Sequence, residues 1–196
     1  MRASRSRLVA VFAAALFTVL AVAAAKATSV LPLDLDQIVG GAQHVVHVRC
    51  IANDVRADRA VHAVTVTTFV VLDRAKGSGG ATFTVRQAGG EIDGVVIDYH
   101  VPKFSAGDEY VLFMPASSKL GLASPVGLAQ GVFGVSPGGA GKEVGNGRDF
   151  AEMLPQADRS SLPAGIAARL ERGRAERVRM DLGDFMTLIR AKVRGR

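Results

Sequence analysis

Gly134-Val135-Ser136-Pro137-Gly138 has the G-x-S-x-G spacing that, in a hydrolase, lifts a serine nucleophile onto a sharp strand-to-helix turn. The chemistry fails here. The oxyanion hole of that design uses the backbone N–H that follows the serine, and Pro137 has none. The chain beyond it is glycine-rich instead of helical, and His44, His47, His62 and His100 all precede Ser136, against the chain order of that fold. Gly138-Gly139-Ala140-Gly141-Lys142 ends in lysine like a phosphate loop, but Ser136 stands where the first glycine belongs and Glu143 where Ser or Thr must bind the metal. No nucleotide site and no cofactor are expected.

His44 and His47 stand three apart, a spacing that joins two imidazoles on a helix but sends them to opposite faces of a strand. Asp98 and His100, two apart on one face, are better placed for a metal, with Glu91 and Asp93 across a turn as further donors. These four lack an anchoring ligand spacing, so solvated surface residues are the favoured reading, and a metal-assisted hydrolase using Asp98 and His100 is the competing one. Cys50, the single cysteine, excludes an intramolecular disulfide and falls on the apolar face of its strand, where a thiol acts as a small hydrophobe. Arg169, Arg172, Arg174, Arg177 and Arg179 form a basic run that is a candidate partner-binding surface. No aromatic residues interleave with it for base stacking, so nucleic acid is not an expected partner.

The elements that must position these residues read as a β body and a helical tail. Leu33 to Ala42 predicts a short helix capped by Asp34 or Asp36 and stopped by Gly40-Gly41. Strand signals follow at His44–Ile51, Val61–Leu72, Thr82–Gln87, Val95–Val101, Tyr110–Met114 and Gly131–Val135. In the second, Val64, Val66, Val70 and Leu72 form the apolar face against Thr65 and Thr67. Glycine-rich turns separate the runs, which favours a mainly β domain, a small antiparallel OB-like barrel of five or six strands, over a βαβ fold. Residues 137–159 read as a Gly-rich linker, and 160–196 as a helical C-terminal extension. Leu182, Phe185, Leu188, Ile189 and Val193 line one stripe of its last helix, and that stripe is expected to pack on this chain's own barrel.

Residues 1–27 carry Arg2, Arg5 and Arg7, an uncharged apolar run from Leu8 to Ala25, and small-x-small sites ending at Ala25 and Ala27, the pattern of a secretory signal peptide. At ~1.5 Å per helical residue the run reaches ~27 Å, so membrane contact is expected only through an uncleaved leader or the basic tail. Export places the mature chain in the periplasm or outside the cell. The formal charge of +6 on 196 residues falls to +2 without the leader, and it is uneven: residues 28–150 hold 10 basic and 12 acidic groups, residues 151–196 hold 10 and 6. With 48% hydrophobic and 21% charged residues, the chain can bury a core, which argues against wholesale disorder.

Across about residues 33–136, the succession Thr67-Thr68-Phe69-Val70-Val71-Leu72, Lys76-Gly77, Thr84-Val85-Arg86-Gln87-Ala88-Gly89-Gly90, Val101-Pro102-Lys103-Phe104, Gly107-Asp108-Glu109-Tyr110-Val111-Leu112-Phe113 and Val126-Gly127-Leu128-Ala129-Gln130-Gly131-Val132-Phe133 resembles a family of uncharacterised exported bacterial proteins. Some of those occur beside matrixin-like metalloproteases. More distantly, the long strand ending in Lys-Gly and the later Gly-acidic-x-Tyr-Val-Leu strand are similar to the netrin-like module of tissue inhibitors of metalloproteinases, an OB-type barrel. Those inhibitors chelate zinc through a disulfide-held N-terminal cysteine; this chain offers no counterpart, so no inhibitory or catalytic residue carries over. A non-catalytic exported binding module with a protein partner, associated with an extracytoplasmic protease, is the leading expectation, because the polar residues fall into turns and outward faces and form no nucleophile-base-orienter set. Envelope-surface binding through the arginine-rich tail is the remaining alternative.

Overall fold

The computed structural model describes residues 31–139, 141–154, 162, 164–171, 173 and 177–195. The expected leader, most of residues 155–163, Arg172 and Arg174 lie outside them. Asp34 opens α1 (Leu35–Gly41) with a capping box: its carboxylate accepts from the Gln37 N–H at 2.7 Å, and Gln37 Oε1 accepts from the Asp34 N–H at 2.9 Å. The helix then stops without a left-handed glycine, and the chain enters β1 through extended Ala42.

Two 15-residue strands, β1 (His44–Asp58) and β2 (His62–Lys76), form the backbone of the sheet. β3 (Thr82–Ala88) pairs with β2, and a small hairpin, β4 (Gly90–Ile92) with β5 (Val95–Ile97), stands apart as its own two-stranded sheet. Next come β6 (Glu109–Met114), β7 (Val132–Gly138) and β8 (Gly141–Gly145), then α2 (Phe150–Met153), α3 (Ala164–Leu170), β9 (Met180–Asp181) and α4 (Leu182–Arg194). The main sheet runs β3-β2-β1-β6-β7-β8-β9, with every pair antiparallel. The domain is therefore mainly β with a large antiparallel sheet and a C-terminal helix, and among the described residues no pairing joins its two outer strands.

Of residues 137–159, expected as a linker, the described ones are ordered elements instead: Pro137 and Gly138 end β7, Gly141–Gly145 is β8, and Phe150–Met153 is helical. Glycines that looked like loop composition serve a tight hairpin, in which Gly138 pairs with Gly141.

Apolar residues cover both faces of the sheet. On one, Val45, Val111, Phe113, Phe133 and Val144 meet Leu35 and Ile38 of α1, Phe150 of α2, Ile166 of α3 and Phe185 and Ile189 of α4. Phe133 centres this layer, 4.9 Å from the Phe185 ring, 5.4 Å from Phe113 and 6.2 Å from Phe150. The apolar stripe of the last helix thus packs on this chain's own sheet, where Arg190 binds Asp73 at 2.6 Å and Lys192 binds Asp36 at 2.8 Å. On the other face Val46, Val48, Cys50, Phe69, Val85, Leu112 and Met114 meet Phe104.

Three register shifts between β1 and β2 decide which residues reach which face. Ile51 and Leu72 each have no partner in the ladder, and they are 50% and 39% exposed despite their apolar side chains. Within β2 alternation holds, but the apolar face expected from the sequence is not the better buried one: Thr67 and Phe69 are buried, Val66 and Val70 are half-buried and Leu72 is exposed.

A charge cluster clamps the sheet beyond the helices. The Glu109 carboxylate accepts from Lys142 Nζ at 2.7 Å and Arg49 Nη2 at 2.8 Å, and lies 3.0 Å from His47 Nε2, which joins β6 to β8 and β1. Among the described residues no helix is long and apolar enough to cross a membrane.

Candidate binding cavity

The shift at Ile51 also builds a site. It places Asn53 opposite Thr67 and Val55 opposite Thr65, while Val85 and Gln87 on β3 face Thr67 and Thr65 from the other side. Polar side chains therefore continue the sheet face that Phe69 and Cys50 begin. Thr67 Oγ1 donates to Asn53 Oδ1 at 2.7 Å, and Asn53 Nδ2 donates to the Phe104 carbonyl at 2.7 Å. Thr67 and Gln87 are 1% and 3% exposed, and the buried Gln87 Nε2 has no hydrogen-bond partner.

The chain from Gly89 to Phe104 folds over this polar floor and leaves a cavity of about 320 Å³. Two glycines make the close approach. Gly89 has φ +101°, and Thr65 Oγ1 donates to its carbonyl at 2.7 Å. Gly90 has φ +144°, and a Cβ there would stand 2.4 Å from Val55 Cγ1. Asp93 and Gly94, both at positive φ, turn the β4–β5 hairpin between Ile92 and Val95. Ile97, Val101, Pro102 and Phe104 supply apolar walls; Glu91, Val96, Asp98 and Lys103 surround the mouth.

The strand expected over Val95–Val101 thus shrinks to Val95–Ile97, of which Val96 and Ile97 line the cavity, and Val95 and Val96 are 61% and 63% exposed. The Asp-Gly pair between two apolar residues is the signal that identifies this hairpin. Gln87 shares the face of Val85 by the alternation of β3, whereas Asn53 reaches the same face through the bulge at Ile51, for which no local signal exists.

Of the four metal candidates, Glu91 and Asp98 line the mouth, Asp93 sits in the hairpin turn, and His100 Nδ1 lies 3.8 Å from Asp98 Oδ2. Asp98 Oδ1 is also occupied by the His100 N–H at 2.7 Å. Among the described residues no three His, Cys, Asp or Glu side chains converge on one point that could hold an ion.

The other sequence candidates lie elsewhere. His44 packs edge-on against Phe83 with ring centroids 5.6 Å apart, on the opposite face from His47. Cys50 is buried, and burial first, then the Asp108 charge, raises its thiol pKa against the lowering effect of the Ala52 backbone and Asn53. Ser136 sits within the β7–β8 ladder opposite Glu143 and accepts from Arg179 Nη1, so it occupies no nucleophile elbow. Arg177 chelates the buried Asp149 carboxylate, which also caps α2 by accepting from the Ala151 N–H at 2.8 Å. Arg169 belongs to α3, its side chain outside the described set.

No protein-family model, curated protein or solved structure matches this chain.

Proposed function

We propose that the chain is a non-catalytic exported binding module that seats a protein partner in the cavity beneath the β4–β5 hairpin. The observation that carries this reading is the buried Gln87 amide. Leaving such a nitrogen without a partner costs about 1–3 kcal/mol, which an acceptor brought in by a ligand offsets. The surrounding groups offer hydrogen bonds and apolar surface, whereas catalysis needs a nucleophile, a base and an orienting group in mutual contact. Export through residues 1–27, association with an extracytoplasmic protease and an OB-like closure of the sheet belong to the same reading; the bulged 15-residue strands provide the bend that closure requires.

A photocrosslinking residue at Val96, expressed in the exporting cell, tests it. The expected result is a discrete protein adduct from Val96 and none from exposed Thr187 on α4. Equal adducts from both positions, or none from either, would overturn the proposal.

A further inference from the structure

We infer that the cavity takes a short peptide segment in which an apolar side chain is flanked by Lys or Arg. This rests on the binding reading above and names its ligand. The floor presents a buried amide and hydroxyls, neutral groups suited to a peptide carbonyl and N–H and unsuited to a charged headgroup. The apolar walls leave about 320 Å³, near the lower end of the ~300–1,000 Å³ range of ligand pockets, which suits one side chain with its adjoining peptide groups.

The lip decides between a free small molecule and a chain. Val95 and Tyr99, outside the cavity lining, are 61% and 46% exposed on and just beyond the hairpin, and a molecule confined to the cavity leaves them wet. A chain running across the mouth covers them. Charge selects the flanks: Glu91, Asp93 and Asp98 lie on the hairpin and just beyond it, against Lys103 alone on the returning segment. Residues 28–150 as a whole also carry more acidic than basic groups. A cationic neighbour to the inserted side chain is therefore steered in and held at the rim.

The probe is acetyl-Gly-Lys-Leu-Lys-Gly-amide, titrated into the purified isotope-labelled protein while the Gln87 side-chain amide and the Val96 methyl signals are followed by NMR. Both should shift with one saturable dissociation constant. Affinity should fall about tenfold when both lysines become glutamate and at least as much when the leucine becomes serine. The exposed pair of substitutions Glu91→Gln and Asp98→Asn should abolish the preference for lysine over glutamate while leaving the unfolding midpoint unchanged. Equal binding of the lysine and glutamate peptides, or no shift at Gln87 with any of them, overturns the inference. If no peptide binds yet the Val96 adduct still forms, the peptide assignment falls and the binding-module reading stands; if neither occurs, both fall.

Discussion

Glu109 is a carboxylate that burial alone would protonate more easily, because desolvation raises its pKa, yet hydrogen bonds from Lys142, Arg49 and His47 carry it down from 4.5 to about 2. Folding lowers this pKa, so the stabilisation is complete above about pH 4.5 and disappears as pH falls toward 2. At ~1.4 kcal/mol per unit the contribution has an upper bound of about 3–4 kcal/mol, reduced by the exposure of the two cations. Glu109→Gln should therefore lower stability at pH 7 by about 1–3 kcal/mol and flatten the acid limb of the wild-type curve. Urea unfolding at pH 7 and pH 3 measures both; an unchanged acid limb in the variant would contradict the assignment. The sequence reveals none of this, since the three partners lie 33 to 62 positions from Glu109. What was legible at this scale is local: the opposite facing of His44 and His47 follows from strand parity, and the burial of Cys50 from its neighbours Val46 and Val48.

At the scale of elements, the cavity depends on one hairpin being laid flat on two strands, and Gly90 is the hinge of that contact. At φ +144° an L side chain is strained whatever space surrounds it, and here its Cβ would also run into Val55 and Thr65. Gly90→Ala should cost about 1–3 kcal/mol and lift β4–β5 from the sheet, exposing Gln87. Hydrogen exchange should then quicken at Gly89, whose N–H donates to the Ala63 carbonyl at 2.8 Å, and stay slow in the Val111–Phe133 ladder. Uniform quickening across the sheet would mean that the hairpin is part of one cooperative core. Periodicity located most of the strands because alternation is a property of each strand alone. It missed the continuation of β1 beyond Ile51, because a bulge is a relation between two strands, and on β2 it could not tell which of two alternating faces is covered. Gly-rich 137–147 misled for a similar reason: glycine marks freedom of the backbone, and a tight hairpin uses that freedom as readily as a linker does.

Across the whole molecule, the described residues do not divide into a sheet with an appendage: Pro32–Arg196 is one compact unit, with α1 and α4 packed on the same side of the sheet. Lys192 on α4 reaches Asp36 on α1 across 156 positions, and Arg190 reaches Asp73 across 117. The basic tail is accordingly constrained as a free binding arm, since Arg177, Arg179, Arg190 and Lys192 are all engaged within the fold. Deleting it is a test of stability before it is a test of binding. Phe185 is fully buried among Phe113, Phe133 and Phe150, and Phe185→Ala should cost about 3–5 kcal/mol, a large share of the ~5–15 kcal/mol that holds an ordinary domain together. A chain ending at Arg179 loses Phe185 together with Met180, Met186, Leu188 and Ile189, leaving the aromatic layer open to water. That chain should show no cooperative urea transition and should bind a hydrophobic dye such as ANS, whereas Phe185→Ala should unfold cooperatively at a lower midpoint. A truncated chain that unfolds at the wild-type midpoint would mean that the sheet is stable without its helical layer, and the tail would again be free to act as a separate arm.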